Sequence, residues 1–397
     1  MQRRPLAPID VLISMKFCGV CHSDIHTAAG HLSGVGRKTE YPVVPGHELV
    51  GVVEAVGSEV TKFQVGDHIG VGCLVDSCLE CEKCAAGEEQ KCSKTVGTYN
   101  GVDWSGRAAS YPDSSRRTRG GYTSKMVVQE RFGIKIPKTY PLEKAGPVFC
   151  AGITLYDPLM AHCAKAGTRV GIVGLGGLGV MGLKLAKALG CEVTAISRLP
   201  AKEAFATVTC GADAFVASTN AQSMLDAAGS LDLVLNTIPA MHDCHVYERL
   251  LRPGGKQVIL GLNANAGAAI YAAKVVGEHN CTTVFSGIGG LKRTQEVIDL
   301  CAKHDIFPEV KVVPVSELSD VYSALDASND SGVRYVLDLE GSLTEAAFQA
   351  CEQTKPPTLR PNDTGFSHAW VAYPTVVAGV LRMLGGAALG VMKDCRF

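Results

Sequence analysis

The chain predicts an α/β protein in which a β-rich domain is joined to a doubly wound parallel sheet, and three observations carry that prediction. From Gly152 to about Gly287, short apolar runs alternate with helical patterns, the rhythm of parallel strands joined by crossover helices. Before Lys138 the apolar runs are short and separated by Gly/Pro turns, as in an antiparallel β-rich unit. Between these regions lies Val170-Gly-Ile-Val-Gly174-Leu-Gly176-Gly177-Leu178-Gly179, a glycine-rich turn set between an apolar strand and a helical pattern.

In chain order, Leu49–Val56 and Asp67–Gly70 read as strands of the first region. Val193–Ile196, Leu231–Asn236 and Gln257–Leu262 read as successive parallel strands of the second, with helices at Ala201–Cys210 and His245–Leu251 between them. A helix over Leu291–His304 and a strand over Val333–Asp338 then return the chain to the first region. The expected domains are 1–151 with 288–342, then 152–287, and a C-terminal extension of unknown role at 343–397. The Ser/Arg-rich stretch Ser110–Arg119 reads as an exposed loop.

The glycine turn has the G-x-G-x-x-G spacing of a dinucleotide site. Gly174 permits the tight turn, Gly176 lets the backbone approach a pyrophosphate, and Gly179 allows close helix–strand packing; the helix N-terminus then receives the phosphate charge. A second strand, Glu192–Ser197, follows where such a unit requires it. A site selecting NAD usually ends that strand with a carboxylate for the ribose 2′-hydroxyl. Here the strand ends in Ser197-Arg198, with Lys202 close behind. A hydroxyl and two cations complement a 2′-phosphate, so the expected cofactor is NADP(H).

Cys78-Leu-Glu-Cys81-Glu-Lys-Cys84, followed by Cys92, has the spacing of a closed tetrahedral thiolate site. Four thiolates leave no coordination position for substrate, so the expectation is a structural zinc. An iron–sulfur cluster, disulfides or an unmetallated loop are the alternatives, although iron–sulfur runs usually carry a Pro after a closing Cys. Upstream, Cys18-Gly-Val-Cys21-His22-Ser23-Asp24-Ile25-His26, Gly46-His47-Glu48 and Cys150 are candidates for an open site. Two thiolates, one imidazole and a water make a Lewis-acid zinc. Spacing alone leaves Cys18-x-x-Cys21 equally readable as a redox pair or half a zinc ribbon.

Taken together these motifs, with Pro45-Gly-His-Glu48, Gly120-Gly121-Tyr122, Cys150-Ala-Gly-Ile-Thr154 and Val333-Arg334-Tyr335, resemble the zinc-dependent medium-chain alcohol dehydrogenases. The likeness is strongest to the cinnamyl-alcohol-dehydrogenase-like, NADP-dependent branch and runs from about Asp10 to about Asp338. It implies a GroES-like β-rich catalytic domain plus a doubly wound Rossmann cofactor domain, with two zinc ions per chain. It further implies Cys21, His47 and Cys150 as ligands of the catalytic zinc, with Cys18 packing as a small apolar residue. Glu48 is implied as an acidic neighbour of the metal, and Asp24 as the carboxylate that orients the ligand imidazole. Ser23 is implied to bond the alcohol oxygen, and His26 to continue the proton path through the cofactor ribose. His22 is implied near the pyrophosphate, and Thr154, Gly177 and Leu178 on the cofactor side. Tyr99, Asn100, Trp104 and Ile288 lie in segments that line the substrate pocket by resemblance. The implied reaction is hydride transfer between the nicotinamide and a primary alcohol or aldehyde, aromatic or medium-chain. A zinc-stabilised NADPH-binding relative without turnover and a zinc-independent quinone or enone reductase are the rival readings.

A formal net charge of −1 over 397 residues offers no footprint for nucleic acid. Sixteen cysteines without a secretory signal point to a reducing interior, so the cytoplasm and a homodimer are expected. In the family further edge strands precede the residues that match here, which leads to an expectation of lowered stability. The tail carries an apolar run over 370–392, about the length that spans a bilayer. Arg382 within it would cost about 3 kcal/mol on insertion scales, and Pro374 breaks its helical pattern, so membrane association is not the expected role.

Overall fold

The structure is a computed structural model that describes residues 3–31, 38–106, 116–240, 242–261, 275–276, 281–327 and 332–344. Two seven-stranded sheets organise them. In the first sheet Asp10–Gly19 is the central strand, antiparallel to Leu49–Val56 along one edge. On its other edge it pairs with Lys125–Gln129 near its start and with Arg334–Asp338 near its end. His68–Val71 and Ile134–Lys135 extend the sheet beyond Leu49–Val56. Val310–Pro314 adds a parallel edge strand beside Arg334–Asp338. Strands before residue 136 and strands after residue 309 therefore build one layer.

The second sheet is parallel from Ala214–Ala217 through Glu192–Ser197, Arg169–Val173, Leu231–Asn236 and Leu251–Ile259 to Thr282–Phe285. In the local order of its strands this is 3-2-1-4-5-6, the doubly wound arrangement that places a ligand crevice at the carboxyl end of its first strand. Val275–Val276 pairs antiparallel with the last strand. Arg169–Val173 is nearly all buried, as a strand covered by helices on both faces must be. The helix Ala151–Ala161 packs its buried residues against this layer, and Ile153, Leu155 and Leu159 join Ile172, Leu183 and Leu235 in one core.

Several expected boundaries move, for local reasons. The strand expected over Gln257–Leu262 is Leu251–Ile259. A register shift between Leu231 and Leu233 takes up the extra residues of Arg252-Pro-Gly-Gly255, which read as a turn in the sequence. The helix expected over His245–Leu251 is correspondingly a short turn, His245–Glu248. Ala201–Cys210 is helical but irregular, with a 3₁₀ turn at Pro200–Lys202 and a π turn at Phe205–Thr209. There the Thr207 hydroxyl donates to the Glu203 carbonyl at 2.9 Å, a back-bond that disturbs a helix. The exposed loop expected over Ser110–Arg119 ends in buried residues: Thr118 is 0% and Arg119 2% exposed. Residues 107–115 of it lie outside the described residues, as does the apolar run at 370–392. Among the described residues no helix is long and apolar enough to cross a membrane.

Candidate metal centre and cofactor site

Cys78, Cys81, Cys84 and Cys92 come together with their sulfurs within 4.8 Å of one another. The separations are 3.8 Å for Cys78–Cys84, 3.6 Å for Cys81–Cys84 and 3.5 Å for Cys92–Cys78. A tetrahedron with zinc–sulfur bonds of about 2.3 Å has edges of about 3.8 Å, so this donor set fits a closed zinc site. The backbone amides of Glu80 and Cys81 hold the Cys78 thiol down to about 6, in the range of a ready thiolate. The loop is anchored on both sides. Asp76, buried just ahead of it, accepts from the Ser77 amide at 2.8 Å, Gln129 at 3.2 Å and Ser105 at 2.6 Å. Glu89, also buried, accepts from the Leu291 amide at 3.1 Å and pairs with Arg131.

A second group joins Cys21, His47, Glu48 and Cys150, all buried. Cys21 ends the turn after the central strand of the first sheet and precedes the helix His22–Ala28. His47 and Glu48 precede Leu49–Val56, and Cys150 precedes the helix Ala151–Ala161. The Cys21 and Cys150 sulfurs are 3.9 Å apart, and His47 Nε2 lies 3.2 Å from the Cys150 sulfur. These separations match the edges of a tetrahedral site built on two thiolates and one imidazole. Cys150 beside Cys21 holds that thiol well below its ordinary range.

Asp24 positions these donors. Its carboxylate accepts from His47 Nδ1 at 3.1 Å, the Cys21 amide at 2.9 Å, the Gly46 amide at 3.0 Å and the Tyr122 hydroxyl at 3.0 Å. A carboxylate at Nδ1 requires the proton there, which leaves the Nε2 lone pair directed at the sulfurs. Glu48 is paired through Oε1 with Arg334, both fully enclosed. Its Oε2 has no hydrogen-bond partner and is buried, as an oxygen held within reach of a cation would be. Burial pushes the Glu48 carboxyl up, and Arg334 pulls against that shift. Gly19 leaves the space: a Cβ there would lie 1.9 Å from Glu48 Oε2.

Tyr122 and Arg334 were given no role by sequence reasoning. Both sit in motifs of the family pattern, but their partners are 98 and 286 residues away, and only the fold joins them. Cys73 was missed as well. Its sulfur lies 4.0 Å from the Phe149 carbonyl, and with Phe149, Ile153 and Ile288 it lines a narrow crevice beside Cys150.

The remaining expected residues divide between the two sides of the site. Ser23 Oγ is 3.7 Å from the Cys21 sulfur, on the metal side. His26 stands one turn further along the same helix, and His22 donates from Nε2 to the Leu325 carbonyl at 2.8 Å. The Tyr99 ring lies 5.6 Å from that of His47. By contrast, Asn100 bonds the Lys38 carbonyl and the Glu40 amide. Trp104 donates to the Lys94 carbonyl at 2.8 Å, with the Lys94 ammonium over its ring. Cys18 is 0% exposed and packs among the buried apolar residues of the first sheet, with Val11, Ile13 and Leu49.

On the cofactor side Gly174 has φ +90° and a Cβ on Gly179 would lie 1.8 Å from the Gly174 carbonyl oxygen, so turn and helix touch as the motif requires. Gly176 caps the helix Gly177–Ala188, and Leu178 packs against the adjoining core. Thr154 is buried on Ala151–Ala161. Ser197 closes its strand with Oγ accepting from the Leu199 amide at 3.2 Å, and Arg198 is exposed. Lys202 Nζ donates to the Leu175 carbonyl at 3.1 Å, which sets its ammonium on the glycine turn.

Residues 7–138 match the alcohol dehydrogenase GroES-like domain and residues 177–303 the zinc-binding dehydrogenase domain. NADP-dependent alcohol dehydrogenase C 1 of Mycolicibacterium smegmatis is 43% identical over 338 residues, covering 85% of this chain and 92% of that protein. Among solved structures, a cinnamyl alcohol dehydrogenase of Sorghum bicolor is 36% identical with a TM-score of 0.77, covering 86% of this chain and 93% of that one. The CAD of Helicobacter pylori, solved with NADP(H), is 34% identical with a TM-score of 0.72, covering 85% and 93%. With its donor groups and its two sheets so arranged, the chain belongs to the zinc-dependent medium-chain alcohol dehydrogenases, in the cinnamyl-alcohol-dehydrogenase-like branch.

Proposed function

We propose that this protein is a zinc-dependent, NADP(H)-linked alcohol dehydrogenase that interconverts a primary alcohol and its aldehyde. The observation that carries the reading is the convergence of Cys21, His47 and Cys150, from three separate segments, at one buried point that the unpartnered Glu48 oxygen also reaches. Zinc held there supplies a Lewis acid, and NADP(H) donates or accepts the hydride. Asp24 fixes the His47 tautomer and draws the Cys21 and Gly46 amides to the same carboxylate. Ser23 bonds the substrate oxygen and His26 carries its proton outward, a role supported by their spacing on one helix.

Ser197, Arg198 and Lys202 hold the 2′-phosphate, which the absence of a carboxylate at this strand end and the position of Lys202 on the glycine turn support. Gly174, Gly176, Gly177, Leu178 and Gly179 take the pyrophosphate, with His22 and Thr154 beside the cofactor. Cys78, Cys81, Cys84 and Cys92 hold the structural zinc. The catalytic domain comprises 1–151 and 288–342, and the cofactor domain 152–287. Tyr99, its ring beside that of His47, and Ile288, in the crevice with Cys73 and Phe149, favour an aromatic or medium-chain substrate. The protein acts as a homodimer in the cytoplasm, where its ligand cysteines stay reduced.

The test is a panel of aromatic and medium-chain aldehydes assayed with NADPH and NADH, joined to metal analysis. Two zinc ions per chain and NADPH oxidation that stops when zinc is stripped are expected. Turnover that survives zinc removal would point to the quinone or enone reductase class, and NADPH binding without turnover to a non-catalytic relative.

A further inference from the structure

The helix His22–Ala28 carries two histidines one turn apart, and the chain brings a third, His31, back beside them. His26 Nδ1 and His31 Nδ1 are 3.4 Å apart, their ring centroids 5.6 Å apart and their planes inclined by 54°. That separation exceeds a well-formed nitrogen hydrogen bond, about 2.7–3.2 Å. It equals the edge of a tetrahedron whose metal–nitrogen bonds are about 2.1 Å, roughly 3.4 Å. His22 is the next ring, 6.3 Å from His26 between centroids. Its Nε2 is committed to the Leu325 carbonyl, so its Nδ1 carries a lone pair. Asp326, exposed on the neighbouring helix Leu318–Ala327, lies near enough for its charge to act on His26. Burial, with His22 and His31 close by, keeps His26 below its ordinary pKa and so in the neutral form that a metal requires.

We propose that His26 and His31 form a third, inhibitory site for a borderline divalent cation such as Zn²⁺ or Ni²⁺, separate from the two zinc sites above. Neutral imidazoles suit these ions, and water completes the coordination of a half-exposed pair. A cation bound between the two Nδ1 atoms takes the lone pair that His26 needs to pass a proton. Filling the site therefore slows hydride transfer without touching Cys21, His47 or Cys150. The effect on turnover rests on the proposed role of His26, whereas binding of the cation does not.

The test starts from the holoenzyme with two zinc ions per chain, dialysed against micromolar ZnCl₂ and, separately, NiCl₂. Bound metal is counted and aldehyde reduction measured on the same samples. A third equivalent is expected, reversed by brief chelation, with turnover lowered roughly tenfold or more, since acid–base catalysis contributes about 10²–10⁴-fold. His31→Ala, at an exposed position, is expected to keep basal turnover, bind only two equivalents and escape inhibition. The absence of a third equivalent would overturn the site and leave the pair as a long histidine–histidine contact. A third equivalent retained by His31→Ala would overturn it equally, and full turnover with the site filled would overturn its inhibitory role. A protein inactive towards every aldehyde would sink the dehydrogenase reading, while the metal count would still decide the site.

Discussion

The two cysteine-bearing centres are built in opposite ways. The four-thiol site closes within one loop, its most distant pair only 14 residues apart. In the centre of Cys21, His47 and Cys150, Cys150 meets Cys21 across 129 residues and His47 across 103. The proposed local site would leave a metal no open position and would act by holding the loop in place. The assembled site exists only once the sheet and the helix Ala151–Ala161 are in register, and Asp24, Glu48 and Arg334 complete it from within the core. A centre that needs the fold can keep a position open for chemistry; one that makes its own fold has used every position.

His47→Ala or Cys150→Ser breaks the assembled side of this contrast and is the largest effect expected. Lewis-acid metal catalysis supplies several kcal/mol, so aldehyde reduction should fall by about 10³-fold or more. Circular dichroism and the melting profile should change little, and metal analysis should find about one zinc lost. Wild-type turnover in a variant shown to lack that zinc would end the proposed mechanism.

Cys81→Ser probes the local side. Loss of a structural metal is among the few single changes that cost roughly 4 kcal/mol or more, so melting temperature and soluble yield should drop sharply. The fraction that remains folded should retain most of its turnover per catalytic zinc. An unchanged melting temperature after complete loss of the structural metal would show that anchors such as Asp76 and Glu89 hold the loop without it.

The same division explains what could be read from the chain. Four cysteines in one loop, the glycine turn and the strand ending in Ser197-Arg198 are local patterns, and the structure realises each of them. The proposed metal ligands Cys21, His47 and Cys150 needed family resemblance, because no spacing rule joins residues that meet only through packing. Tyr122 and Arg334 went unassigned for the same reason. Where local signals conflict they also mislead: Arg252-Pro-Gly-Gly255 reads as a turn, yet a register shift against Leu231–Leu233 absorbs it inside a strand.

Arg198→Asp tests a locally read site of smaller weight. A charge-assisted contact of about 1.5–3 kcal/mol would give way to repulsion, so the NADPH-over-NADH ratio in kcat/KM should fall about tenfold or more. The change should appear mainly in KM for NADPH, with zinc content unaffected. A ratio that does not move would remove Arg198 from the phosphate site and leave the metal centre as described.

Tyr122→Phe is the smallest and most discriminating change, because it alters the assembled centre without touching a metal ligand. The hydroxyl donates to Asp24 Oδ2, and the same carboxylate still accepts from His47, the Cys21 amide and the Gly46 amide. The ring is fully buried, so phenylalanine keeps the packing and deletes one hydrogen bond to a charged group, worth about 1.5–3 kcal/mol. Partners at one remove from a metal commonly alter affinity by about 10–100-fold, and with three of four donors retained the loss should lie near the lower end. Chelator competition should show faster zinc release, with kcat/KM reduced to a similar degree when zinc is scarce and restored when it is supplied at stoichiometric excess below inhibitory levels. If zinc release is unchanged while stability falls, Tyr122 supports only the core; if neither moves, Asp24 is held by its remaining three donors and the assembled centre is more redundant than its geometry implies.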